Sequence, residues 1–133
     1  MAVVSSETVP LTSEADIVAV RRRVREVAIQ LGFSLVDQTK VVTAASELAR
    51  NALIHGGGGS MQLHTLNGPR TGLRLTFEDK GPGIPDVQLA LRDGFTTGSG
   101  LGLGLGGAKR LVNDFDISST VGAGTRVTVT RWK

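Results

Sequence analysis

The sequence predicts an α/β two-layer sandwich, a largely antiparallel mixed sheet with helices on one face. Three observations predict it. Two stretches near the N-terminus place apolar residues at helical spacing, and both end at glycine. Later stretches alternate apolar with polar residues, the pattern of half-buried strands. Turn residues then join those strands in pairs, which makes each pair an antiparallel hairpin. The 133 residues suit one domain with one core, so a single unit over 1–133 is expected.

Taken in order, Val3 to Leu11 is expected to form an edge strand. Ser13 suits the N-cap of a first helix, in which Ile17, Val20, Val24, Val27, Ala28 and Leu31 recur on one face until Gly32 ends it. Arg21, Arg22, Arg23 and Arg25 fall on the opposite face and read as a solvated surface, with docking of an acidic partner as the alternative. A second helix is expected from about Asp37 to Ile54, with Val41, Ala44, Ala45, Leu48 and Ala52 inward and the run Gly56 to Gly59 stopping it. Met61 to Leu66 and Leu73 to Phe77 form a hairpin around Asn67-Gly68-Pro69. From Asp79 to Gly107 the chain reads mostly as loop, with a helical turn near Val87 to Leu91 and a helix at Ala108 to Val112. Strands at Phe115 to Ser119 and Arg126 to Arg131 close the sheet across the turn Val121 to Thr125.

Composition removes several classes of function. No cysteine is present, so disulfide scaffolds and thiolate metal or nucleophile chemistry are excluded. The N-terminus lacks a basic and apolar leader, and no apolar run nears the roughly 20 residues that cross a bilayer, so a soluble cytoplasmic protein with no membrane partner is expected. The net charge of +3 and pI near 10.0 leave an anionic partner open. Aromatics are 4% with no tyrosine, which removes the stacking platforms of single-strand nucleic-acid binders, so no nucleic-acid partner is expected. Two histidines, His55 and His64, are too few for a histidine metal cluster, and no G-x-S-x-G elbow marks a serine hydrolase.

Three segments carry candidate chemistry. In Ser46-Glu47-Leu48-Ala49-Arg50-Asn51 the carboxylate of Glu47 and the carboxamide of Asn51 are four residues apart, on one helical face about 6 Å from each other. They flank apolar Ala44, Leu48 and Ala52, where an unpaired polar group costs about 1–3 kcal/mol; a ligand or plain solvent exposure satisfies them equally at this level. Asp79-Lys-Gly81-Pro-Gly83-Ile84-Pro85 follows a strand directly. Its glycines allow close approach of a planar ligand, and Asp79 can either accept from an exocyclic amine or cap a turn. Gly98 to Gly107 holds six glycines and opens onto a helix, a setting for phosphate oxygens. Gly102 to Gly107 satisfies G-x-G-x-x-G, yet no strand precedes it and only 26 residues follow Gly107, which excludes a doubly wound dinucleotide fold. No Walker A lysine is present either.

In this order the three segments resemble the N, G1 and G2 boxes of the GHKL ATPase and kinase superfamily, and Gly122-Ala-Gly124-Thr125 resembles its Gly-Thr element. Nearly the whole chain resembles the RsbT-type serine/threonine kinases of bacterial stress-signalling partner switches. The stretches are Asp16-Ile-Val-Ala, Leu31-Gly-Phe, Val36-Asp-Gln, Ser46 to Asn51, Glu78 to Asp86, Asp93-Gly-Phe95, Lys109-Arg-Leu and Trp132.

The resemblance implies the Bergerat fold, ATP/ADP and Mg²⁺ as cofactors, and an ATP-dependent kinase. Glu47 would be the catalytic carboxylate and Asn51 the Mg²⁺ ligand. The nucleotide would be held by Asn51, Asp79, Gly81, Gly83, Ile84, Gly100, Gly102, Gly104 and Thr125, with Thr96 to Gly107 as the ATP lid. Implied partners are STAS-domain scaffold or antagonist proteins as substrates and a PP2C-type phosphatase that the kinase activates. The alternative is a sequestering module of the anti-sigma kind in which nucleotide is mainly structural. No Lys or Arg occurs from Asp93 to Ala108, so Arg50, Lys109 and Arg110 are the nearest cations for the phosphates.

Overall fold

A computed structural model describes residues 2–91 and 104–133. Its elements are β1 (Ala2–Leu11), α1 (Glu14–Gln30), α2 (Leu35–Ile54), β2 (Gly59–Asn67), β3 (Gly72–Asp79), α3 (Val87–Ala90), α4 (Gly104–Arg110), β4 (Asp114–Thr120) and β5 (Gly124–Trp132). The sheet order is β1-β2-β3-β5-β4, so β1 is an edge strand as expected and β4 is the other edge. All four neighbouring pairs are antiparallel. β4 runs in the direction of β3, but β5 lies between them, so the parallel component of the expected mixed sheet never becomes a neighbouring pair.

Alternation sets the two faces. Met61 and Leu63 of β2, Leu73, Leu75 and Phe77 of β3, and Val127 and Val129 of β5 share the helix-facing side and are buried. Against them α1 places Ile17, Val20, Val24, Val27 and Ala28, and α2 places Val41, Ala44, Ala45, Leu48 and Ala52. Each leucine or valine removed from water here contributes about 1.5–3 kcal/mol. The small residues of α2 let that helix lie close to both α1 and the sheet. No helix of the described residues is long and apolar enough to cross a membrane.

Local signals account for the helix ends. At the start of α1, Asp16 reaches back to accept from the N–H groups of Thr12 and Ser13. These bonds, led by the Thr12 N–H, hold its carboxyl below the usual carboxylate range. Gly32 closes the helix at φ +82°. α2 begins at Leu35, two residues before the expected start, because Ser34 caps it by accepting from the Asp37 N–H at 3.1 Å.

Two expectations need correction. Arg23 is not part of a solvated face: its guanidinium binds both carboxylate oxygens of Glu7 at 2.8–3.0 Å and ties α1 to β1. Arg21 and Arg22 are exposed as expected, whereas Arg25 is half-buried. The last helix begins at Gly104, not Ala108, and ends at Arg110. Glycine disfavours a helix by about 1 kcal/mol per residue, but Leu105, Gly106, Gly107 and Ala108 are buried, and the small volumes of the two glycines and Ala108 bring α4 onto α2.

A second ion pair joins the layers. Arg131 of β5 donates to Asp37 of α2 at 2.5 Å and to the Leu111 carbonyl at 3.3 Å, with side-chain exposures of 15% for Arg131 and 26% for Asp37. The Arg131 bond is the main cause holding the Asp37 carboxyl below its ordinary 3.8, against the opposing effect of burial. A depressed folded-state pKa gives stability that is present above pH 3.8 and is lost as pH falls through the lower folded value. Asp37→Ala is therefore expected to cost about 1–2 kcal/mol at neutral pH in urea unfolding, between the exposed and buried limits for such pairs. The difference from the parent protein should shrink as acid protonates Asp37; a cost that does not change with pH would show that the pair contributes nothing.

Candidate functional site

β3 ends at Asp79, which stands on the helix-facing side opposite Gly59 of β2 and Thr125 of β5. Its carboxylate accepts from the Gly81 N–H at 2.9 Å, which turns the chain out of the strand. Three segments close on this point. A Cβ at Gly56, just past α2, would lie 2.2 Å from the Asp79 carboxyl carbon, and a Cβ at Gly81 would lie 2.6 Å from the Gly56 Cα. At the β4–β5 turn, Gly124 has φ +120° and a Cβ there would meet the Asp79 carbonyl at 2.1 Å. The Gly122 N–H also donates to the Pro82 carbonyl at 2.8 Å, and Gly83 packs against the Thr120 carbonyl. The result is a strand-end carboxylate with the backbone of Gly56 packed directly against it and the main chain of the β4–β5 turn against the Asp79 carbonyl.

Glu47 and Asn51 project from α2 at the margin of the core. The Glu47 side chain is only 13% exposed, so simple solvation does not satisfy it. One of its oxygens accepts from Arg50 at 3.2 Å and the other from the Gly104 N–H at 3.4 Å, at the start of α4. Asn51, one turn on, is half-buried, and its carbonyl accepts from the His55 and Gly56 N–H groups where α2 ends. His55 is an exposed C-cap residue. Asn51 thus hands the chain to Gly56, and Gly56 abuts Asp79, so the end of α2 lies against the strand-end carboxylate.

Of the expected nucleotide set, Asn51, Asp79, Gly81, Gly83, Ile84 and Thr125 converge around the end of β3. Gly104 meets Glu47 instead. Gly100 and Gly102, with Asp93 to Phe95 and most of the lid expected at Thr96 to Gly107, lie outside the described residues. Among the nearest cations, Arg50 is beside Glu47, while Lys109 and Arg110 are exposed in the last turn of α4, about 8 Å along the helix from Gly104.

One contributor escaped the sequence reading. Ser119 of β4 accepts from the Ile84 N–H at 2.8 Å and lies 2.8 Å from the Thr125 hydroxyl and 3.3 Å from the Gly124 carbonyl. Its inward direction follows from alternation in Asp114 to Thr120, but its partners are 35 and 6 residues away. The sequence reading names Gly104 for the nucleotide, and the structure adds the contact of its N–H with Glu47 at the start of α4.

The arrangement fits a nucleotide with a divalent cation. Asp79 offers an anionic acceptor beside bare backbone, which suits an amine on a flat base. Asn51 offers a carboxamide oxygen, a hard donor for Mg²⁺, and the phosphates themselves supply further oxygens. Among the described residues no group of three or more His, Asp or Glu side chains gathers into a metal site.

Residues 36–133 match the family model for histidine kinase-, DNA gyrase B- and HSP90-like ATPases. The chain is 44% identical over 125 residues to the serine/threonine-protein kinase RsbT of Bacillus subtilis, covering 93% of this chain and 94% of that one. It is 30% identical over 110 residues to an anti-sigma F factor of a Thermoanaerobacter species, covering 79% and 77%. A crystal structure of RsbU and RsbW domains from Mycobacterium tuberculosis superposes with a TM-score of 0.67 at 21% identity, covering 96% of this chain, which spans 32% of that chain's length. The mycobacterial sensor histidine kinase MprB superposes with a TM-score of 0.57 at 19% identity over 96% of this chain and 97% of that one. At these identities the two structures bear on fold alone.

Crowding at Asp79 makes a contrast between two glycines measurable. Gly124→Ala combines a left-handed φ with backbone overlap and is expected to cost about 2–4 kcal/mol or prevent folding. Gly122→Ala has φ +84° but nothing within 4 Å, so about 1 kcal/mol is expected. Thermal melting of the two variants checks this, and equal losses would contradict the close approach.

Proposed function

This chain belongs to the histidine kinase-, DNA gyrase B- and HSP90-like ATPase family, on the branch of the serine/threonine-protein kinase RsbT, and from that premise we propose that it is an ATP- and Mg²⁺-dependent serine/threonine-protein kinase of a bacterial partner switch. Its substrates are STAS-domain scaffold or antagonist proteins, and on release it activates a PP2C-type phosphatase. The unit is the whole of 1–133. The observation that carries the reading is the pairing of Glu47 with Asn51 on α2, joined through Gly56 to Asp79. A binding pocket alone does not call for a carboxylate at the position of Glu47.

Each residue then has a task. Asp79 accepts from the adenine amine through the oxygen not occupied by Gly81, while Gly81 lets the base approach the backbone. Gly83, Ile84 and Thr125 complete the base end, and Gly100, Gly102 and Gly104 belong to the lid. Asn51 would hold Mg²⁺, which neutralises charge on the phosphate oxygens when bound. Glu47 orients the incoming Ser or Thr hydroxyl and takes its proton as the new O–P bond forms and the bond from the γ-phosphorus to the ADP oxygen breaks. Arg50, already on one Glu47 oxygen, fixes that carboxylate, and with Lys109 and Arg110 it is among the nearest cations in sequence for the phosphates.

A second reading has a specific support, the anti-sigma F factors at about 30% identity. There the protein would act by sequestering a sigma factor, with nucleotide as a structural element.

Transfer of label from γ-labelled ATP with Mg²⁺ to a panel of STAS-domain proteins separates the two. Glu47→Ala is expected to lower transfer at least about 100-fold while leaving ATP affinity within about threefold. Asp79→Asn is expected to weaken ATP binding about tenfold or more, the loss of one charge-assisted hydrogen bond. Full transfer by Glu47→Ala would remove its catalytic role, and unchanged affinity in Asp79→Asn would remove the adenine contact. A stable complex with a sigma factor and no transfer to any substrate would favour sequestration.

A further inference from the structure

The sheet face turned away from the helices has no part in the site above. Strand alternation places Asp114 and Asp116 of β4, Thr128, Thr130 and Trp132 of β5, and Arg74 of β3 on that face. Together they line an open pocket of about 340 Å³. Trp132 is a fixed wall: its indole N–H donates to Asp114 at 2.8 Å, and its ring lies on Gly72, where a Cβ would come within 2.5 Å of it. Thr130 is only 5% exposed, and among the described residues nothing bonds to its hydroxyl. A hydroxyl so enclosed is costly until a partner satisfies it, and this one lies in the pocket wall. Asp116, beside it on β4, is exposed and forms no ion pair among the described residues.

β4 is also the edge of the sheet, and among the described residues only β5 bonds to its main chain between Asp114 and Ser118. An unpaired edge of this kind offers a row of N–H and C=O groups to an added strand. The two faces of that edge differ in chemistry. Asp114 and Asp116 point to the open face, whereas Phe115 and Ile117 are half-buried on the helix side against the core. β4 carries no basic residue, although the chain as a whole has a net charge of +3. A strand added here would run about 5 Å from β4 and about 10 Å from β5, but about 14 Å from β3. A long basic side chain on it reaches Asp116 and the Thr130 hydroxyl and stops short of Arg74, the cation on the far wall. A guanidinium has donors for the carboxylate and the hydroxyl together. Arg70 already lies 5.9 Å from the centre of the Trp132 ring, so the indole serves the incoming group as an apolar wall.

We propose that the free edge of β4 docks an extended segment of a partner protein that alternates arginine with apolar residues. The segment adds a sixth strand to the five-stranded sheet, with its apolar residues beside Phe115 and Ile117 and an arginine in the pocket between Asp116, Thr130 and Trp132. This surface is separate from Glu47, Asn51 and Asp79, and the inference does not rest on the nucleotide reading.

Trp132 is the only tryptophan of the chain, so its emission reports occupancy of the pocket. The probe is a capped hexapeptide of alternating valine and arginine, titrated at low salt. A saturable change in emission is expected, with affinity falling as salt is raised. Asp116→Arg should weaken binding at least about tenfold, since it replaces an attraction by a repulsion. Thr130→Val, which keeps the shape and removes the hydroxyl, should weaken it about fivefold. Circular dichroism and thermal melting check that both variants are folded; if Asp116→Arg is not, Asp116→Asn replaces it, with a loss of about fivefold expected.

Strand addition has its own signature, because alternate N–H groups of an added strand face β4 and the rest face solvent. One hexapeptide N-methylated at its arginines and another at its valines should therefore differ, one losing binding and the other retaining it. Equal binding by the two would overturn strand addition. No emission change with the parent protein, unchanged affinity in Asp116→Arg, or equal binding of a valine–glutamate hexapeptide would overturn the proposal. A dimer of the protein alone that Asp116→Arg dissociates would give the edge to a second copy of the chain and overturn it as well.

Discussion

The structure depends on backbone approaching backbone around Asp79. A side chain at Gly59 would strike the Glu78 carbonyl at 1.9 Å, one at Gly81 would strike Gly56, and one at Gly124 would strike the Asp79 carbonyl. Without side chains at these points, the end of α2, the end of β3 and the β4–β5 turn meet at one place. A methyl group at any of them forces two segments apart, because a packed interior has no free volume to absorb it. The Asp79 carboxylate is therefore presented by a rigid floor of main chain, the kind of surface a flat ring can approach closely.

The same economy of volume positions the acidic residue on the helix. Ala44, Ala45, Ala49 and Ala52 bury α2 deeply, which draws Glu47 and Asn51 down to the rim of the core. Glycines 106 and 107 then allow α4 to settle on α2 with its first N–H directed at Glu47. A carboxylate that is only 13% exposed, held by Arg50 on one oxygen and a backbone donor on the other, has a defined direction. Fixed direction matters in phosphoryl transfer, where positioning and charge stabilisation supply most of the rate.

Two cross-links between layers hold these elements in register. Arg23 with Glu7 binds α1 to the β1 edge, and Arg131 with Asp37 binds β5 to the start of α2. The second acts at the opposite end of α2 from Asn51. It limits sliding of the helix along the sheet, and such sliding would move Glu47 and Asn51 relative to Asp79.

The sequence alone determined the element order, the antiparallel hairpins and the core faces of both long helices, because periodicity and glycine or asparagine turns are local properties of the chain. It also marked Glu47, Asn51 and Asp79, since their spacing and their glycine neighbours are local too. What it could not determine was anything resting on contacts between distant segments. Arg23 read as a solvated residue because its partner is 16 residues away. The start of α4 at Gly104 was hidden because glycine opposes a helix locally, and only burial against α2 overrides it. Ser119 was silent for the same reason: strand alternation turns it inward, but its role comes from Ile84, Gly124 and Thr125 arriving from other segments. Local pattern specifies what each segment is, and only tertiary packing specifies which polar groups meet.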